Sequence, residues 1–596
     1  MQVVASAGHV DHGKSTLIRA LTGIEPDRWA EERRRGLTID LGFAWTRLPS
    51  GREVSFVDVP GHERFLGNML AGVGPAPVVL FVVAADEGWR AQSDDHRDAV
   101  AALGIDRGVV ALTRADRADA ERIAAVTAQV RAQLAGTGLV DAPVVPVSAI
   151  TGEGMDALRE TLDAVLAAAP APDPGAPVRL WIDRAFSISG AGTVVTGSLI
   201  AGTLRTGDRL ELLGAETAAE VQVRGLQSRE SSVEELEPVS RAAVNLRGIA
   251  ADALSRGDAL LTPGAWHRTA VLDVRRTTGG ALDDAPEQVV AHIGAAAVPA
   301  HVRPFDADHA RLLLDRPLPL AVGDALVLRG SGDHAVLGGV RALDVDPPAL
   351  DRRGDGTRRA AALAALPDAG DATAEVSRRG DLRIDALTRL GIATPDPLPP
   401  GIVREGDWLI AADRLESWTA ALREGVARLH REQPLAPGLT RGAAAGLLGL
   451  PDAALLGPVA ARAGLAVEGG HVRDPRQEAG LGAAEAGIAE LEKRLRAEPF
   501  RAPEADDLAA LRLGPRELAT AQRLGRVLRL EGDVILLPTA PALAMRELAA
   551  LSQPFTLSEA RQALGTTRRV AVPLLEHLDA RGWTRRVDGS RREIVR

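Results

Sequence analysis

The stretch that most constrains this 596-residue chain is Gly8-His9-Val10-Asp11-His12-Gly13-Lys14-Ser15. Two glycines at a fixed interval, followed by Lys and Ser, let backbone N–H groups turn inward around phosphate oxygens. Gln2 to Ala7 is short and mostly apolar, as a buried strand is, and Ser15 to Leu21 contains no helix breaker. Strand, glycine loop and helix form the setting this pattern requires, and the helix N-terminus adds its own attraction for an anion. Lys14 is expected on the outer phosphates and Ser15 on Mg2+. The chain has only two lysines, Lys14 and Lys493, against 68 arginines. A compact ammonium suits a phosphate cradle where a planar guanidinium does not, so a lysine at this place argues for a phosphate site rather than a surface turn.

The length predicts several domains, and a hydrophobic fraction of 46% can supply their cores. Aromatics are only 3% and tyrosine is absent, so aliphatic side chains must do the packing. With no cysteine, disulfides and thiolate metal sites are excluded. The start lacks the basic, apolar and small-residue succession of a signal segment. No apolar run is long enough to span a bilayer, and a cytoplasmic location is expected. A net charge of −10 speaks against a uniformly basic coat, so any nucleic-acid site must be local.

Residues 1–172 alternate strand-like and helix-like segments. Glu53–Val59, Val78–Ala84, Gly108–Leu112 and Val144–Val147 are nearly continuous apolar runs, with helical patterns such as Asp119–Leu134 and Met155–Ala168 between them. This predicts an α/β domain with a doubly wound parallel sheet, whose ligands sit at the carboxyl ends of the strands. The motifs fall there. Thr38, in Gly36-Leu37-Thr38-Ile39-Asp40, can complete a Mg2+ shell. In Asp58-Val59-Pro60-Gly61-His62, Asp58 can hold Mg2+ through water, Gly61 N–H can meet the γ-phosphate, and His62 can orient an attacking water. In Thr113-Arg114-Ala115-Asp116, Asp116 can accept the pair of N–H bonds that guanine offers and adenine does not, while the Arg114 stem covers the base. Ser148-Ala149 can present a backbone N–H to the base oxygen. Together these elements predict a GTPase using GTP/GDP and Mg2+.

Gly8–Ser15, Arg35-Gly36-Leu37-Thr38 and Asp58–His62 resemble the translational GTPases of the elongation factor Tu kind. The resemblance implies that His62 is the catalytic histidine, that Val10 and Leu37 form an apolar gate holding it back, and that the ribosome stimulates hydrolysis. A Pro-rich hinge, 170–177, is expected to act as a semi-rigid spacer. Beyond it, short β-branched runs alternate with Gly turns, predicting one barrel over 173–265 and a second over 266–347, with Leu312–Leu314 and Ala325–Leu328 as strands. Ile182-Asp183-Arg184-Ala185-Phe186-Ser187-Ile188-Ser189-Gly190, the stretch to Gly197, and Thr38-Ile39-Asp40-Leu41-Gly42-Phe43 resemble the selenocysteine-specific elongation factors. That resemblance implies that Asp183 meets the aminoacyl amine and that Arg184 and Arg241 line the side-chain pocket. Two guanidiniums favour a selenolate and do nothing for neutral serine.

Asp351 to Arg359 is polar and reads as a linker. The remaining region, 348–596, repeats helix, turn, helix and a β-like tail in about four units, near 360–412, 413–475, 476–540 and 541–596. These are expected to be helix-turn-helix units with a β-hairpin wing. Residues 556–596 carry nine Arg and five acids, net +4. Arg568, Arg569, Arg585, Arg586, Arg591 and Arg592 form a local footprint for an anionic partner, and the resemblance to the selenocysteine-specific factors, which carry tandem winged helices here, implies that they contact an mRNA hairpin. The preferred reading is a monomeric, GTP-dependent factor that carries selenocysteyl-tRNA to the ribosome at recoded UGA codons, tethered to an mRNA hairpin. A GTP-switched DNA-binding regulator and a general tRNA-delivery or subunit-handling GTPase are the alternatives.

Overall fold

The computed structural model describes residues 2–26, 38, 40–62, 65–74, 76–190, 192–215, 217–332, 335–433, 436–476 and 481–595. In the first domain the elements are β1 (Gln2–Ala7), α1 (Lys14–Thr22), β2 (Gly42–Arg47), β3 (Glu53–Asp58), α2 (Leu66–Val73), β4 (Val78–Ala84), α3 (Ala91–Ala102), β5 (Gly108–Thr113), α4 (Ala120–Leu134), β6 (Val144–Pro146) and α5 (Met155–Ala167). One sheet has the order β2-β3-β1-β4-β5-β6. Val3 and Ala5 of β1 join Leu70, Val100 and Val130 on one face, and Val4 joins Leu17, Leu158 and Leu162 on the other. Burial on both faces is why these strands are apolar throughout. The sheet is not wholly parallel as expected: β2 runs antiparallel to β3. The short connection from Arg47 to Glu53 allows only a hairpin, since a parallel return needs a long crossover. Strand order reverses around β1, so the loop after β1 lies at the switch point where α/β sheets bind ligands.

The 170–177 hinge is tied to the first barrel, with Gly202 N–H donating to Asp173 O at 3.0 Å and Thr203 Oγ1 to Pro174 O at 2.9 Å. That barrel runs Arg209–Leu213, Ala259–Leu261, Arg179–Ile188, Gly192–Leu199, Ser240–Arg247 and Ala218–Ser228, and Arg209–Leu213 pairs back with Ala218–Ser228. A second closed barrel comprises Arg268–Arg276, His309–Pro319, Ala296–Pro304, Gln288–Ile293, Ala325–Gly330 and Val336–Asp344. Closure pairs the two ends of each ring of strands with one another.

The polar stretch 351–359 is not a linker. The helix Asp355–Ala364 starts within it and buries Arg359 against the second barrel. Arg359 Nε donates to Asp273 at 2.6 Å and its NH2 to Asp344 at 2.5 Å, while Arg311 Nε bonds the other Asp273 oxygen at 2.7 Å. A polar sequence folded inward here because each charge meets an opposite one.

The chain divides into two compact units, 1–402 with 407–409, and 403–406 with 410–596. In the second unit one hydrophobic core joins Ile488, Leu491 and Leu518 with Leu574, Leu575 and Leu578. Its last helix-turn-helix is Leu557–Ala563 and Arg568–Ala580, followed by the wing strands Thr584–Arg586 and Arg591–Ile594. Thr556 caps the first helix, and Glu559 returns the bond to Thr556 N–H at 2.6 Å. Among the described residues no single helix is long and apolar enough to cross a membrane.

Candidate active site and aminoacyl pocket

Gly8 adopts φ +129°, and a Cβ there would lie 2.2 Å from Val82 O. Only glycine lets the loop turn against β4. Lys14 is buried and its Nζ donates to Gly8 O and His9 O, both at 2.9 Å. A Cβ on Gly61 would fall 2.5 Å from that Nζ, so β3 delivers its glycine directly onto the phosphate lysine. Ser15 Oγ lies 3.1 Å from Thr38 Oγ1. Asp58 is fully buried and accepts from Ser6 Oγ at 2.7 Å, while its second oxygen has no hydrogen-bond partner among the described residues. Burial pushes the Asp58 carboxyl up, and Ser15 and Lys14 oppose that shift. Two hydroxyls and a carboxylate with an oxygen to spare fit a Mg2+ that completes its shell with phosphates and water.

A cavity of about 730 Å³ brings most of the expected residues together. Val10, Asp11, Gly13, Lys14, Ser15, Thr38 and Gly61 line it together with Thr113, Arg114, Asp116, Ser148 and Ala149. Thr113 Oγ1 donates to His12 O at 2.6 Å, tying the base motif to the phosphate loop. Arg114 bonds Glu87 at 2.7 Å and also the Asp11 carbonyl. Ser148 is buried and accepts from Thr151 N–H at 3.1 Å. His62 lies beyond the described lining, with its ring edge-on to Phe65 at 6.2 Å. Leu37, the other half of the expected gate with Val10, and Gly36 and Ile39 of the same motif lie outside the described residues.

Two contributors from α3 were not anticipated. Gly8 N–H donates to His96 Nδ1 at 3.1 Å, and Val10 N–H to Gln92 Oε1 at 3.2 Å. The i, i+4 spacing of Gln92 and His96 puts both on one helix face, a signal present in the sequence. His96 also bonds the Gly61 backbone, so one ring braces both phosphate-binding segments. Burial, then the Lys14 charge, lowers His96 to about 3. Burial, then His9, lowers His12 to about 4.

Folded protein thus keeps these rings neutral where the unfolded chain takes up protons, below about pH 6.5. Stability is full above that value and falls as pH drops, by about 1.4 kcal/mol per unit for each histidine, until the folded values are reached. Urea unfolding at pH 7 and pH 5 is expected to show His96→Gln losing about 2 kcal/mol less than wild type over that interval. Equal losses would contradict the assignment.

In the first barrel, both Arg241 nitrogens grip Asp183, one at 2.7 Å, and Thr196 Oγ1 donates to Asp183 at 2.7 Å. The Asp183 side chain is 5% exposed, so the carboxylate expected to meet an aminoacyl amine is turned to Arg241 and Thr196 instead. Arg184 pairs with Asp40 at 3.0 Å. The Arg241 and Arg184 guanidiniums lie 4.0 and 5.3 Å from the Phe43 ring. Both arginines line a cavity of about 220 Å³ with Phe43, Trp45 and Phe186.

In the last winged unit, Arg568, Arg569, Arg585, Arg586 and Arg591 are exposed. Arg585 pairs with Glu593 at 2.6 Å and Arg586 with Glu576 at 3.3 Å. Arg569 is tied to Pro503 O at 3.1 Å and Glu504 at 3.0 Å. Arg592 is buried against Asp579 at 3.0 Å. The basic footprint is therefore smaller than its arginine count.

A phosphate loop, a Thr-Arg-Ala-Asp base motif and two barrels define a GTPase of the elongation factor Tu class. The family models agree: elongation factor Tu GTP binding domain over 1–168, elongation factor Tu domain 2 over 192–261, the selenocysteine-specific elongation factor β-barrel domain over 272–349, and the elongation factor SelB winged helix over 546–592. The selenocysteine-specific elongation factor of Escherichia coli (strain K12) is 33% identical over 98% of this chain and 97% of its own length. That of Desulfomicrobium baculatum is 36% identical over 74% and 73%. The crystal structure of a bacterial selenocysteine-specific elongation factor, EF-Sec, matches with a TM-score of 0.74 and 26% identity over the whole of both chains. The chain belongs to the selenocysteine-specific elongation factor family. It binds guanine nucleotide and hydrolyses GTP. This family membership supports neither the DNA-binding regulator nor the general tRNA-delivery reading.

Proposed function

We propose that the chain delivers selenocysteyl-tRNA to the ribosome at recoded UGA codons while its C-terminal winged helices hold an mRNA hairpin. It acts as a cytoplasmic monomer with functional boundaries at 1–172, 173–265, 266–347 and 348–596. The observation that carries this reading is the pairing of Arg184 and Arg241 around Phe43 in one small cavity. Guanidiniums favour an anion of side-chain size over neutral serine, because a charged acceptor gains more from them than a hydroxyl does. Lys14, the Gly8–Gly13 backbone (His9 and His12 included) and Gly61 bind the phosphates. Thr113 and Arg114 brace the base end, Asp116 reads guanine, and Ser148 and Ala149 close over it. Ser15, Thr38 and Asp58 would hold Mg2+. When bound, Mg2+ neutralises charge developing on the phosphates. His62 orients the attacking water once the ribosome has moved it inward. On the C-terminal unit, exposed Arg568, Arg585, Arg586 and Arg591 contact the hairpin backbone. Arg569 and Arg592 support them by holding the recognition helix and wing in place. Tethering raises the local concentration of a rare tRNA. In the presence of a GTP analogue, selenocysteyl-tRNA is expected to bind at least about tenfold tighter than seryl-tRNA. Equal affinity would refute the pocket.

A further inference from the structure

The last three winged units leave the first helix of their helix-turn-helix through the same turn. Arg441–Leu448 is followed by Gly449, Ala505–Ala510 by Leu511 and Arg512, and Leu557–Ala563 by Leu564 and Gly565. Gly449, Arg512 and Gly565 have φ of 58°, 56° and 57°. The next N–H groups, of Leu450, Leu513 and Thr566, donate to the carbonyls of Ala445, Leu508 and Arg561 at 3.2, 2.9 and 3.1 Å. This helix-ending motif needs one left-handed residue, and glycine takes that place without the crowding a Cβ brings. A Cβ on Gly449 or Gly565 would meet nothing within 4 Å. Those glycines therefore serve conformation, and Arg512 bears a cost that its two counterparts avoid.

Nothing within the fold offsets that cost. Arg512 is exposed and has no acidic partner among the described residues. The same holds for Arg516 and Arg523 on the second helix, Pro515–Arg523. Those two stand seven positions apart and share a helix face, opposite buried Leu518 and Ala521. Exposed Ala519 lies on the same side and adds little bulk. Residues 511–530 carry five Arg and one acid, net +4. Arg526 pairs with Glu485 at 3.1 Å and Arg529 with Asp533, while the acid, Glu517, accepts from Gly514 N–H at 2.9 Å. The three arginines left over are those of the turn and of the outward helix face, the surface that a helix-turn-helix sets against nucleic acid. Strain held at an exposed cation with no internal partner points to a ligand outside the chain.

We propose that Arg512, Arg516 and Arg523 form a second RNA surface, which takes the phosphate backbone of an RNA duplex. It adds to the contact proposed for the last unit and rests on RNA being what the winged helices hold. Leu511, beside Arg512, and Gly565, Thr566 and Thr567, beside Arg568, line one cavity of about 850 Å³, so the turns of the two units border one another. Thr566 Oγ1 donates to Phe500 O at 2.5 Å and Arg569 to Pro503 O at 3.1 Å. These bonds hold the last unit's turn and second helix to the segment that leads into Ala505–Ala510.

The test titrates the full chain with an RNA hairpin of about twenty base pairs and, separately, with ribosomes free of message. Each arginine on a phosphate adds about one to the slope of log Kd against log salt. Arg512→Gly with Arg516→Gln and Arg523→Gln is expected to weaken binding about ten- to a hundredfold and to lower that slope by about two to three. Arg512→Gly alone is expected to weaken binding about three- to tenfold while its urea midpoint stays at or above that of wild type, because glycine relieves the left-handed turn. Loss on the hairpin assigns the phosphates to messenger RNA, and loss on ribosomes alone assigns them to ribosomal RNA. Unchanged affinity and slope on both, while Arg568→Gln still weakens hairpin binding, overturns this surface and leaves the hairpin reading standing. Weaker binding by Arg512→Gly with a lowered urea midpoint also overturns it, since the arginine is then structural. Wild type that binds neither RNA overturns the reading on which the surface rests.

Discussion

His62→Ala is expected to lower ribosome-stimulated GTP hydrolysis by about 10²–10⁴-fold, the range that positioned proton-handling groups contribute, while GTP affinity stays at the wild-type level. The separation follows from placement. Gly61 approaches Lys14 so closely that a Cβ would meet its Nζ at 2.5 Å, yet the next residue, His62, lies against Phe65 beyond the described lining of the nucleotide cavity. Lys14, Ser15 and Asp116, proposed above to bind the nucleotide, are not changed by the substitution. Hydrolysis without the ribosome is expected to change little, because the ring is not yet at the phosphates. Single-turnover hydrolysis with and without ribosomes, alongside nucleotide titration, measures all three quantities. Unchanged stimulated turnover would remove the role given to His62.

Arg241→Ala is expected to destabilise the first barrel by about 3–5 kcal/mol, the cost of leaving a buried charge without its partner. Asp183 is 5% exposed and would retain only the Thr196 hydroxyl among the partners described above. Urea unfolding of Arg241→Ala, Asp183→Asn and the double variant measures the coupling. The double variant is expected to recover much of the loss, since it removes the stranded charge. If Arg241→Ala costs under about 1 kcal/mol, the pair behaves as a surface pair and the burial argument fails. A loss of tRNA binding in Arg241→Ala therefore mixes pocket chemistry with folding, and Arg184, at 24% exposure, is the cleaner position for testing the pocket alone.

Several features were legible because their chemistry is local. Phosphate binding needs glycines and a lysine at fixed spacing within one loop, so Gly8 to Ser15 announced itself, and strand ends marked Asp58, Thr113 and Ser148. The last winged unit was legible for the same reason: its cap, turn and wing are short-range patterns. Opposite outcomes came wherever the partner lies far along the chain. Arg359 belongs to a polar run by composition, and only Asp273 and Asp344 on the barrel make it a buried residue. Arg592 looks like a neighbour of Arg591 in sequence, yet Asp579 holds it in a buried pair.

The sequence by itself determined the phosphate-loop pattern, the class of each domain and the family. Contiguous residues and periodic burial are enough for those. Tertiary structure alone decided how the charges are shared out. It gave Asp183 to Arg241, Asp40 to Arg184, and a histidine on α3 to both Gly8 and Gly61. Side-chain pairing depends on distances between elements that the fold brings together, and one chain offers far more opposite charges than it can pair; packing selects among them.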